Sequence, residues 1–182
     1  MKYLFTLISV TVVFSAFAQR PLPAFHSFRD KFLYLDTNRN YFDKPISSLT
    51  DSLVTLVQHA KRINDRELDF IVRIFGCEHA AKDPASKTDA VEKELKQIYA
   101  DAHESQLKYV EAYALQALRD FYGDSKKLQS EAIEQYMAAY DIYKNFNSEE
   151  FPARQTYTYS LGGIYYRYED YENAIKYMQE AR

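Results

Sequence analysis

At 182 residues and a net charge of −3, the chain is long enough for one well-buried domain or a short solenoid. Its mild acidity and lack of any Lys/Arg block exclude the electrostatic footprint of a nucleic-acid or anionic-membrane binder. A single cysteine excludes an intramolecular disulfide framework. Four glycines and no sustained period-two alternation exclude an all-β fold with many tight turns.

In chain order, residues 1–18 read as a secretory signal peptide. Lys2 supplies a positive start, Tyr3 to Phe14 is mostly apolar, and Ala16-Phe17-Ala18 has the small-x-small form of a cleavage site. The rival reading is an uncleaved anchor, for which the apolar run falls short of the ~20 residues that span a bilayer. A periplasmic or secreted location follows, with no stable membrane insertion after cleavage. Residues 19–46 form an N-terminal segment with Pro21, Pro23 and Pro45 and a helix expected near 25–35. Within it Asp36, Asn38 and Asn40 look like the start of a calcium-binding loop. That motif needs Gly where Tyr41 stands and a bidentate Glu where Ser47 stands. A turn in which Asp and Asn bond their own backbone is the favoured reading.

Helices are expected near 47–62, 65–81, 86–101, 104–122, 127–145, 151–168 and 170–182, with Pro84 and Pro152 in the connections. Every second helix carries apolar residues at i, i+4, i+7: Leu53, Val57, Ala60; Val91, Leu95, Ile98; Ala132, Tyr136, Ala139; and Ala174, Met178, Ala181. These seams repeat at steps of 38, 41 and 42 positions, the mark of a repeat architecture.

Chemistry is sparse. Cys77 lies in an apolar helical pattern and reads as a small buried hydrophobe rather than a reactive or dimer-forming thiol. Cys77, Glu78 and His79 are adjacent, so on a helix they point apart and cannot close a metal site unaided. His26, His59 and His103 lack ligand spacing. Glu92, Glu94, Glu149 and Glu150 read as solvated helix faces. With no nucleophile elbow, phosphate-cradling loop, His-Glu-x-x-His or Cys-x-x-Cys, no catalytic, metal or cofactor residue is assigned, no cofactor is expected, and the chain reads as non-enzymatic.

The segment from Thr158 to Ala181 carries more information. Leu161, Gly162 and Tyr165 on one helix, with Ala174, Met178 and Ala181 on the next, fill six of the seven defining places of a tetratricopeptide repeat, which this stretch resembles. The seventh departs: Thr158 stands where the family has a large residue. A looser copy precedes it, with Val110, Tyr113, Ala114 and Ala117 followed by Ala132, Tyr136 and Ala139, and carries about six extra residues near 121–130. The resemblance therefore covers two units over 104–182, with degenerate units over 47–103. The step of 42 exceeds the family's typical period of about 34 residues, which places longer helices or connections around Asp141 to Glu150.

The resemblance implies an all-α fold, a solenoid of antiparallel helix pairs, and a protein or peptide ligand held on the concave face formed by the first helices. The positions it points to are Thr156, Tyr159, Tyr166 and Arg167 in the last unit, with Lys108, Glu111 and Arg119 in the preceding one; the alternative is that all seven are ordinary surface residues. The Lys and Asn set of the family's carboxylate clamp is missing, so a C-terminal carboxylate is not expected as ligand. Two functions remain open: an exported interaction scaffold, and the sensory region of a histidine kinase or transcriptional regulator, since the repeat region of membrane sensor proteins is similar. Because the last helix offers an apolar face with nothing after it, the chain is expected either to be part of a longer repeat protein or to self-associate through its C-terminal helix.

Overall fold

The computed structural model describes residues 24–38, 46–82 and 88–182; the signal-peptide segment and most of the calcium-loop-like stretch lie outside them. The described residues form eight α-helices: α1 (Phe28–Thr37), α2 (Ile46–Arg62), α3 (Arg66–Ala80), α4 (Thr88–Glu104), α5 (Lys108–Asp120), α6 (Gln129–Tyr143), α7 (Arg154–Arg167) and α8 (Tyr171–Glu180). From α2 onward consecutive helices pack against one another, most extensively α7 with α8 and α5 with α6, while α1 packs on α3 and α3 also packs on α5. Among the described residues no helix is long and apolar enough to cross a membrane.

The turns explain the pairing. Asn64, Gln106, Lys127 and Glu169 all take the left-handed backbone conformation, with φ between 57° and 61°. At three of these turns the next N–H reaches back to a carbonyl in the last helical turn: Asp65 to Ala60 at 2.9 Å, Leu107 to Ala102 at 2.9 Å, and Asp170 to Tyr165 at 3.0 Å. This satisfies carbonyls the helix leaves unpaired and reverses the chain within three residues. Asp65 and Asp170 then cap the helices that follow, accepting from Leu68 N at 2.9 Å and Asn173 N at 3.2 Å. Asn64 and Gln106 lie 42 positions apart, as do Lys127 and Glu169, so the step read from the seams recurs in the turns.

The seams are where packing occurs. Ala60, Val91, Leu95, Ile98, Ala132, Tyr136, Ala139 and Ala174 are buried, and Leu53, Val57, Met178 and Ala181 are half-buried. The extra residues near 121–130 continue α5 as a π-helical segment, Phe121–Lys126. Its wider winding takes up added length without breaking the helix. The segment closes at Lys127, with Leu128 N donating to the Tyr122 carbonyl at 2.8 Å.

The long connection between α6 and α7 is pinned. Asn147 accepts the N–H groups of Glu149 and Glu150, both at 2.9 Å, while Glu150 accepts the N–H of Asn147 at 3.0 Å. This holds Phe151 fully buried, stacked between Tyr143 and Phe28 with centroids at 5.9 and 5.4 Å.

Helix α1 is part of the same core. Phe28 stacks on Tyr109 and the edge of Phe32 meets Tyr113, both at 5.3 Å. Its buried Lys31 reaches both carboxylates at the start of α3, Asp65 and Glu67, at 2.8 Å. Burial alone would lower the Lys31 pKa, but the two carboxylates outweigh it and the net shift is upward. A smaller, tyrosine-rich core of Tyr136, Leu161 and Tyr177, flanked by Tyr140, Ile164 and Tyr165, joins α6 to the α7–α8 pair.

Candidate functional site

The exposed face of α7 gathers four of the residues singled out above. Thr156, Tyr159, Tyr166 and Arg167 recur at helical spacing and all are exposed, Tyr159 at 58% and Tyr166 at 60%. Between the two tyrosines lies Gly163, where a Cβ would meet nothing within 4 Å. The stripe is thus a shallow notch with an aromatic ring at each end. Tyr166 is braced by Tyr171 of α8, edge to face at 5.6 Å. Of the nine large exposed apolar side chains among the described residues, Tyr159, Tyr166, Tyr168, Tyr171 and Ile175 all belong to this final hairpin. Single exposed apolar side chains are ordinary on a protein surface; here five share one hairpin.

Local sequence explains why these side chains face out. The opposite side of α7 presents Thr158, Leu161 and Gly162, all buried. Ser160, which would otherwise add a polar group between them, donates back to the Thr156 carbonyl at 2.9 Å.

The other three residues are placed differently. Every residue of α5 from Val110 to Leu118 is buried, because α3, α4 and α6 surround the helix and α1 lays Phe28 and Phe32 across it. Glu111 is therefore only 3% exposed and cannot receive a ligand as the resemblance implied. Its carboxylate takes Lys108 Nζ at 2.6 Å and His103 Nδ1 of α4 at 2.9 Å. Burial works to raise the Glu111 pKa, but these two partners prevail and it lies below the usual range. Lys108 is held in the same cluster. The covering role of α1 escaped the sequence reading; the spacing of Phe28, Phe32 and Leu35 at i, i+4, i+7 was the available signal.

Arg119 does meet Arg167. Its guanidinium stacks 4.6 Å above the Tyr136 ring and its Nη2 donates to Gln116 Oε1 at 3.4 Å, while Nη1 pairs with Asp120. Arg119 and Arg167 line one cleft of about 370 Å³ with Gly123, Asp124, Gln129, Ala132, Ile133, Ile164 and Tyr168. The end of α5, the π-helical segment and the first turns of α6 form one wall, and the end of α7 the other.

Elsewhere the charged groups are engaged in structure. Glu92 accepts from Lys126 at 2.6 Å, Lys96 at 2.8 Å and the Tyr122 hydroxyl at 3.0 Å. Lys126 above all, then Lys96, brings its pKa down to about 2. Cys77 is buried, and desolvation pushes its thiol up to about 12. Among the described residues no group of three His, Cys, Asp or Glu side chains is placed to hold a metal ion. In comparisons with known proteins, no family model, no curated protein and no solved structure matches the chain.

Proposed function

We propose that the protein is a non-enzymatic interaction scaffold built of tetratricopeptide-type helix pairs, exported to the periplasm or beyond, that captures an extended peptide or partner helix on the exposed face of α7. The observation that carries this reading is the notch at Gly163 between Tyr159 and Tyr166, with Thr156 and Arg167 at its ends, in a hairpin that holds most of the exposed aromatic surface. The repeat assignment draws support from the close approach at Gly162, the recurrence of left-handed turns at 42 positions, and burial of the seam residues.

The binding face on this reading belongs to the last unit alone, because α1 already covers the corresponding faces of α3 and α5. Rigid aromatic side chains contribute large contact areas at low entropic cost. Selection of a displayed peptide library on the immobilised protein tests the proposal. Enriched peptides should lose about tenfold or more in affinity for a Tyr159→Ala, Tyr166→Ala variant, whose melting curve stays unchanged. Failure to enrich any peptide, or binding indifferent to both substitutions, would overturn it.

A second reading, the sensory region of a signalling protein, is favoured by the cleft between Arg119 and Arg167, which is suited in size to a small molecule.

A further inference from the structure

The charges in that cleft are not equivalent. Arg119 is committed to Asp120, Gln116 and the Tyr136 ring. Arg167 at the end of α7 and Asp124 in the π-helical segment both line the cleft, yet neither has a hydrogen-bond or ion-pair partner among the described residues. They do not close on each other either, so a cation and an anion stand apart across one opening. The same cleft also presents the apolar side chains of Ile133 and Ile164 beside the polar Gln129. The space, about 370 Å³, falls in the range of small-ligand sites, about 300–1,000 Å³.

These features narrow the ligand class. A simple anion drawn to Arg167 would leave its charge beside Asp124, and a simple cation would face two guanidinium groups. A ligand carrying both signs on one short frame satisfies both walls at once. We propose that the cleft binds a free α-amino acid with an aliphatic side chain, its carboxylate on Arg167, its ammonium group on Asp124 and its side chain against Ile133 and Ile164. Arg119 lines the same cleft while staying held by its own partners. This goes beyond peptide capture on α7 and shares with it only Arg167.

Titration of the purified protein with L-leucine, L-leucinamide and isocaproate, followed by amide NMR, tests the proposal. Leucine should give saturable shifts at Gln129, Ile133, Ile164 and Arg167. Leucinamide lacks the carboxylate and isocaproate the ammonium group, and each should bind about tenfold or more weaker, the loss expected for a charge-assisted hydrogen bond. Arg167→Gln and Asp124→Asn should each weaken leucine binding to a similar degree with unchanged melting curves. No saturable shift with leucine, equal affinity for all three compounds, or indifference to both substitutions would overturn it. Asp124 is remote from the tyrosine notch in sequence and role, so an Asp124→Asn variant that keeps peptide capture separates this site from the α7 face.

Discussion

A Cβ placed on Gly162 of α7 would lie 2.8 Å from Met178 Cγ of α8, 3.0 Å from the Ala174 carbonyl oxygen and 3.1 Å from Met178 N. Two of those three atoms are backbone, so the neighbouring helix cannot yield by a side-chain rotation alone. Gly162→Ala should therefore destabilise the protein by about 1–3 kcal/mol, as overpacking does. Gly163→Ala, one position along, meets open space and should stabilise by up to about 1 kcal/mol through helix propensity. Urea denaturation of the two variants beside the parent checks the opposite signs.

Tyr143 fills the space next to Thr158. Both are fully buried, and neither hydroxyl finds a well-formed hydrogen bond. Burial raises the Tyr143 pKa, so the phenol stays neutral, but its unsatisfied donor remains a liability. Tyr143→Phe should be neutral or stabilising by up to about 1 kcal/mol, while Tyr143→Ala should lose about 3–5 kcal/mol to the cavity. Thermal melts of the pair distinguish packing from hydrogen bonding.

Glu92 sets an acid limit on stability. Its folded pKa is held down to about 2 from an ordinary 4.5, so the unfolded chain binds its proton first on acidification. The stabilisation it brings is complete above about pH 4.5 and is lost as the pH falls through about 2. Glu92→Gln should be less stable than the parent at neutral pH, and the two should converge toward pH 2. Denaturation midpoints measured across that window check the sign.

Cys77 should be inert while the protein is folded. A thiol pushed up to about 12 by burial carries almost no thiolate at neutral pH. A disulfide reagent should therefore react at the rate of unfolding in buffer and at once in urea. Fast labelling of the native protein would contradict the burial.

Much of the fold was legible because helical periodicity is a local signal. Each of the eight expected helices occurs within a few residues of its expected bounds, and the close approach at Gly162 follows from the small residue set against Ala174. The irregular stretches were legible as irregular, but not in the form they take. The extra residues near 121–130 became π winding, a choice that depends on Lys127 tolerating φ of 58° and on Ala132 packing beside Gly123. The small, buried Thr158 is matched by Tyr143 from the preceding helix, a partner that spacing within one helix pair does not reveal.

The sequence by itself determined the helices, their pairing through short turns, the burial of Cys77 and the outward stripe Thr156, Tyr159, Tyr166 and Arg167, because each depends on residues within a few turns of one another. Only the tertiary structure decided which faces stay open. Phe28 and Phe32 reach Tyr109 and Tyr113 across some eighty positions, laying α1 across α5, while Arg119 and Arg167 come together along one cleft. Such contacts arise from long-range burial of apolar area, which periodicity records as a face to be covered without naming what covers it.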